Sequence, residues 1–248
     1  MQLHLAIKSF FNIFESFSSL GPLGAANLLS IVFTGLFLFM LFTSFFSGIP
    51  MMFKASDTNF LIVHNIGERE IFSTKYILAI FQVIWIPLIA ATPLITAYGA
   101  YFSATPIFYP LSILSMALML LIAASLGIII SLILARIFKP ILLKHLLFTI
   151  GVCLAILMVL AFKKINPSAL ASPGAPNRIA MNFIERISSS TFSLRPDFWT
   201  ADGIINLGYR RNLDFISRFS LMLSSFILIF ILAMTFVSKY IFAPIMLK

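Results

Sequence analysis

The side chains able to hold a metal ion or act as a nucleophile in this sequence are few and far apart. His4, His64 and His145 stand in three separate regions, and Cys153, the one cysteine, lies within an apolar run. A zinc site needs three or four ligands converging at about 2 Å, commonly at short sequence spacings, and no such spacing occurs, so no metal set is expected. Cys153 reads as a small packing residue, because apolar surroundings disfavour the reactive thiolate. No Gly-x-Ser-x-Gly elbow presents a serine nucleophile. No Gly-rich loop followed by Lys and Ser or Thr is present to cradle ATP phosphates. The expectation is a chain that is not an enzyme and holds no cofactor.

One polar segment has an organised pattern, running from Asp57 to Tyr76. Asp57 can cap a short helix with Phe60, Leu61 and His64 on one face, and Asn65 with Glu68 three residues on has the form of a second N-terminal cap. Two helices meeting at 65–67 project an apolar and charged knuckle. A solvated turn beside an interfacial helix is the alternative.

The elements that position this segment follow from composition. Of 248 residues, 60% are hydrophobic, 10% are charged and 28 are Phe, more apolar surface than a water-soluble core absorbs. A helix crosses the hydrocarbon core with about 20 apolar residues, and charges near its middle are costly. Five stretches have no Asp, Glu, Lys or Arg: Leu28–Ile49, Tyr76–Tyr101, Ile107–Ala135, Leu146–Phe162 and Phe219–Ser238. Transmembrane β-strands alternate apolar and polar residues instead, which the run Leu118–Leu134 does not. The predicted fold is an all-α integral membrane protein, a polytopic bundle of about five transmembrane helices with interfacial helices.

The organisation reads as an amphipathic interfacial segment over 1–27 and four transmembrane helices over 28–162, with a cytoplasmic loop at 50–75. An extracytoplasmic segment over 163–218 and a last helix with a short tail over 219–248 follow. Residues 1–20 carry Glu15 and no small-residue cleavage site, so they read as mature chain rather than a secretory signal. Lys54, Arg69 and Lys75 mark the first loop as cytoplasmic, as Arg136, Lys139 and Lys144 mark the loop at 136–145. Alternation then puts 163–218 outside despite its eight basic and four acidic residues. Within it, Ile179, Phe183 and Ile187 have helical spacing, and Phe198 with Trp199 is expected at the headgroup level. The net charge of +9 sits mainly at membrane flanks and in this segment, where it meets lipid phosphates rather than nucleic acid. Ion-coupled carriers usually run on buried ionisable residues, which these spans lack. Pro87 and Pro93 read as a kinked packing helix, and Phe33, Phe37, Met40 and Phe81 as candidate cavity residues or, more simply, packing.

The segment 57–76 resembles the loop of ATP-binding-cassette (ABC) exporter permeases, of a type V-like family. There an Asp-x-Asp-x-Leu-Leu-Ser-Leu-Pro-Ile-Ser-x-x-Glu pattern precedes a span beginning Lys-Tyr. Here Asn59 stands for the second acid, and Val63, His64, Asn65 and Gly67 stand for Ser, Leu, Pro and Ser. Trp85, Pro87, Pro93 and Tyr98-Gly99 resemble the family's next span, and Pro196-x-x-Trp199 its Leu-Pro-x-x-Trp motif. The resemblance implies a permease subunit that couples ATP hydrolysis by a separate ABC ATPase subunit to export. Asp57, Phe60, Leu61, Ile66, Arg69, Glu70 and Lys75 form the coupling loop that binds that subunit. It further implies a multi-pass protein of the bacterial inner (plasma) membrane, in contact with lipid. Five spans where the family has six imply a second permease subunit or a missing half. A non-transporting membrane assembly or anchoring subunit is the alternative function, and an ion-coupled secondary transporter the third.

Overall fold

The computed structural model describes residues 21–53, 67–101, 103–137 and 195–242. Their elements are α1 (Gly21–Phe53), α2 (Glu68–Tyr101), α3 (Phe108–Ile137), α4 (Pro196–Gly208) and α5 (Asn212–Leu232), the last continuing into a π-helix over Ala233–Phe242. No strand occurs among the described residues. Among the described residues, four helices are long and apolar enough to cross a membrane: Val32–Met52, Arg69–Ala100, Phe108–Ile137 and Asn212–Phe242. They correspond to four of the five predicted spans. The fifth, at 146–162, lies outside the described residues, as do the predicted helices at 1–20 and 179–187. One compact unit comprises Met1–Leu132 with Arg195–Lys248, and Ile133–Leu194 form another, of which only the end of α3 is described.

Helix boundaries have local causes. The Gly67 carbonyl accepts the Glu70 and Ile71 amides at 2.9 and 3.1 Å and opens α2, with Glu70 placed where the helix dipole favours negative charge. A tight turn joins the second and third spans. The Gly99 carbonyl accepts the Ala104 amide at 2.9 Å, Ser103 turns the chain with φ 48, and the Thr105 carbonyl accepts the Phe108 amide that starts α3. Gly99 has no side chain because a Cβ there would meet the Tyr109 ring at 2.7 Å. Arg195 is extended (φ −101, ψ 117), as the residue before a proline must be, and Pro196 starts α4.

The Arg210 amide bonds to the Leu207 carbonyl at 3.1 Å and the Arg211 amide to Asn206 at 2.8 Å, a Schellman ending for α4 with Arg210 left-handed at φ 61. Glycine usually occupies this position because a Cβ there costs roughly 1–2 kcal/mol. Arg210→Gly is therefore expected to raise stability by about 1 kcal/mol, read as a higher unfolding midpoint in detergent.

Helix α3 is the most buried of the four spans. Two-thirds of its apolar window (67%) is buried against 22% for the last span. Its small residues Ala123, Ala124 and Gly127 are wholly or largely enclosed, as expected where membrane helices associate by close backbone approach rather than by hydrophobicity. Ser44 and Gly48 of α1 face Gly127 and Ser131 of α3. Contacts advance together along both chains, so the two helices run parallel, with α2 returning between them in sequence.

Three expectations about individual side chains are corrected or divided here. Trp199 is buried inside the packed unit while Phe198 is exposed, so Trp199 serves packing rather than a headgroup anchor. Phe33 and Met40 are fully buried, whereas Phe81 is 65% exposed on the outer face of α2. These residues do not converge on one cavity wall. Pro87 and Pro93 sit within α2 without ending it, and the Thr92 hydroxyl donates to the Leu88 carbonyl at 2.9 Å.

Candidate functional site

The first loop leaves α1 at Phe53 and enters α2 at Glu68, and its two ends are tied together. The Lys75 ammonium, buried, donates to the Met52 carbonyl at 3.2 Å. A helix C-terminus carries partial negative charge on its unsatisfied carbonyls, so a cation reaching back from α2 closes the base of the loop. Of the seven predicted loop residues, Asp57, Phe60, Leu61 and Ile66 lie outside the described residues. Arg69 and Glu70 are exposed on the first turn of α2, where a partner can reach them. Lys75 is placed inward, as the tie to α1.

Sequence reasoning missed an aromatic cluster beneath this base. Phe72 and Tyr76, one helical turn apart, stack with ring centroids 5.4 Å apart. Phe72 meets Phe242 at 5.3 Å, and Tyr76 meets Phe230 at 6.2 Å. Aromatic pairs at these separations add about 0.5–1.5 kcal/mol each beyond area burial. The base of the loop is thus fastened to the last span as well as to α1. The spacing Phe72 to Tyr76 was visible in the sequence, but nothing local distinguished it from the many other aromatic pairs.

A second polar cluster lies at Thr34 of α1, near the start of the membrane-crossing stretch Val32–Met52. Arg195 reaches Asp197 through both Nε and Nη2, at 3.3 and 2.5 Å. The Thr34 hydroxyl donates to the Asp197 carboxylate at 2.6 Å and accepts from Arg195 Nη2 at 3.1 Å. Asp197 is only 2% exposed and lies in the first turn of α4, favoured by the helix dipole. Arg218 and Asp202 pair at 2.7 Å between α5 and α4. From Thr34 to Met52 the helix rises about 27 Å at 1.5 Å per residue, close to the hydrocarbon thickness of about 30 Å. The two polar clusters therefore bracket a bilayer's width. Among the described residues no three His, Cys, Asp or Glu side chains group as a metal site.

A family model described as "Putative ATP-binding cassette" matches residues 3–246. No curated protein and no solved structure matches the chain. The family match overturns the expectation of a chain that is not an enzyme and has no nucleotide-binding character, because the matched family is itself described by ATP binding. That expectation tested only for one contiguous phosphate-cradling loop, a local pattern, whereas the match is carried by the whole length. With nearly every residue covered and four apolar helices of membrane-crossing length, the chain belongs to the ATP-binding-cassette family and is consistent with a membrane component of an ABC transporter.

Proposed function

We propose that the chain is the transmembrane permease component of an ABC exporter, seated on an ABC ATPase subunit through the loop that joins α1 to α2. One observation carries the reading: the base of that loop is fastened to three helices at once. Lys75 ties it to α1, and the ring contacts of Phe72 and Tyr76 tie it to the last span. A force applied to the exposed Arg69 and Glu70 therefore reaches α1, α2 and the last span together, which is the mechanical requirement for shifting a pathway between inward and outward access.

The topology supports the same reading. The chain passes Ser131 level with Gly48, near the loop end of α1, and re-enters at Arg195 beside Thr34. The loop end then faces the cytoplasm and α4 the outside, as the Lys and Arg distribution of the short loops requires.

The test is a single reporter at Arg69→Cys with Cys153→Ala, crosslinked in native membranes. The expected result is an adduct with an ABC ATPase subunit, in a yield that differs between nucleotide-free and ATP-bound states. Absence of that adduct, with Arg69→Cys reached by an impermeant thiol reagent from outside, overturns both the orientation and the permease role.

A further inference from the structure

The last span changes its winding where it meets the base of the first loop. Residues Ala233–Phe242 form a π-helix of 10 residues, whereas π segments are mostly single-turn bulges, often at functional sites. Burial follows the winding. Ala233, Val237, Ser238, Ile241 and Phe242 are buried, while Thr235, Phe236, Lys239 and Tyr240 are exposed. That alternation repeats every four residues, with 237 and 238 and then 241 and 242 buried, longer than the 3.6 of an α-helix and towards the about 4.4 of i→i+5 bonding.

The winding decides which way Phe242 points. At about 80° per residue, Phe242 returns to within about 20° of Ala233, so both face the core. At the about 100° per residue of an α-helix, Phe242 lands about 180° from Ala233, on the opposite side. With Ala233 held in the core, the Phe72–Phe242 contact exists only in the π form, and the two are geometrically linked.

We propose that the Phe72–Phe242 contact sets the winding of the last span. Residues 233–242 are then a two-state element, π-wound while the loop base is seated and α-wound when Phe72 withdraws. Rewinding turns the end of the span by about half a turn relative to Ala233 and exchanges Ser238 for Tyr240 on the core face. An interface or packed core with two discrete arrangements is what converts a small displacement into a switch. What moves the loop base is the ATPase of the reading above. The link between contact and winding rests on geometry alone.

The test needs no nucleotide or partner, so its failure is separate from failure of the permease reading. Single spin labels are placed at residues 234–241 in the Cys153→Ala chain reconstituted in lipid, and their accessibility to oxygen is measured. Positions 238 and 240 carry the diagnosis, since neither makes the Phe72 contact. The expected result is low accessibility at 237, 238 and 241 and high accessibility at 239 and 240. In Phe72→Ala, 238 should become accessible and 236 and 240 protected. If Phe72→Ala does not fold, Phe242→Ala is measured in its place and should show the same exchange. A period of 3.6 in the unsubstituted chain, or an unchanged pattern in the folded variant, overturns the proposal.

Discussion

Gly127→Val is expected to disrupt the packing of α1 on α3 and lower stability by about 3 kcal/mol or more, the upper range for overpacking. A Cβ at Gly127 would sit 2.5 Å from the Leu41 carbonyl oxygen, 2.8 Å from Ser44 Cβ and 2.9 Å from the Phe45 amide nitrogen. Two of those three atoms are backbone, so no side-chain rotation makes room and the helices must separate. Separation also removes the dispersion contacts of the small residues at the crossing, which in lipid are a main source of helix association. Gly35→Ala is the control. It lies on the same α1 with nothing within 4 Å of the added methyl, and it should leave the unfolding midpoint unchanged or slightly raised. Thermal unfolding of both variants in detergent checks the contrast. Equal effects at the two positions would show that the α1–α3 crossing does not limit stability.

Arg195→Ala is expected to cost about 2–3 kcal/mol, and removing Asp197 as well should restore part of that loss. Asp197 is buried, and without Arg195 its carboxylate keeps the Thr34 hydroxyl but no cation, so the charge is left largely uncompensated. Breaking a buried pair from one side costs about 3–5 kcal/mol. The figure is reduced here because the Arg195 side chain is 38% exposed and water reaches the pair. Arg195→Ala with Asp197→Ala leaves no orphaned charge, and Asp197→Ala alone leaves an arginine that can turn to water. A double-mutant cycle on unfolding midpoints reads the difference. Additive losses, with the double variant worst, would mean that Asp197 does not depend on Arg195.

The loop residues Arg69, Glu70 and Lys75 show where reading by pattern stops. All three lie on the start of α2, and the match to a loop motif treats them alike. Yet Lys75 points inward to α1 while the other two face outward, because the inward direction depends on where α1 ends, which is set about twenty residues earlier and by the packing between. The cluster of Thr34, Arg195 and Asp197 was hidden for the same reason. Thr34 stands 161 and 163 residues from Arg195 and Asp197 in the chain, and only the docking of α4 on α1 brings it to them.

The amino-acid sequence by itself determined that the chain is helical, and it determined where its described spans lie. The penalty for a charge or an unpaired backbone group in hydrocarbon is a local quantity, legible one residue at a time. Leu, Ile and Phe gain no hydrophobic free energy by facing a neighbouring helix rather than a lipid tail, so the spans are apolar all round and carry no stripe that marks the packed side. Which aromatic is enclosed, as with Phe33, and which faces out, as with Phe81, was decided by the tertiary structure. So were the backbone contact at Gly127, the inward turn of Lys75 and the π winding that seats Phe242 on Phe72. Each depends on shape complementarity between helices distant in sequence, a property of pairs of surfaces that no single stretch of residues contains.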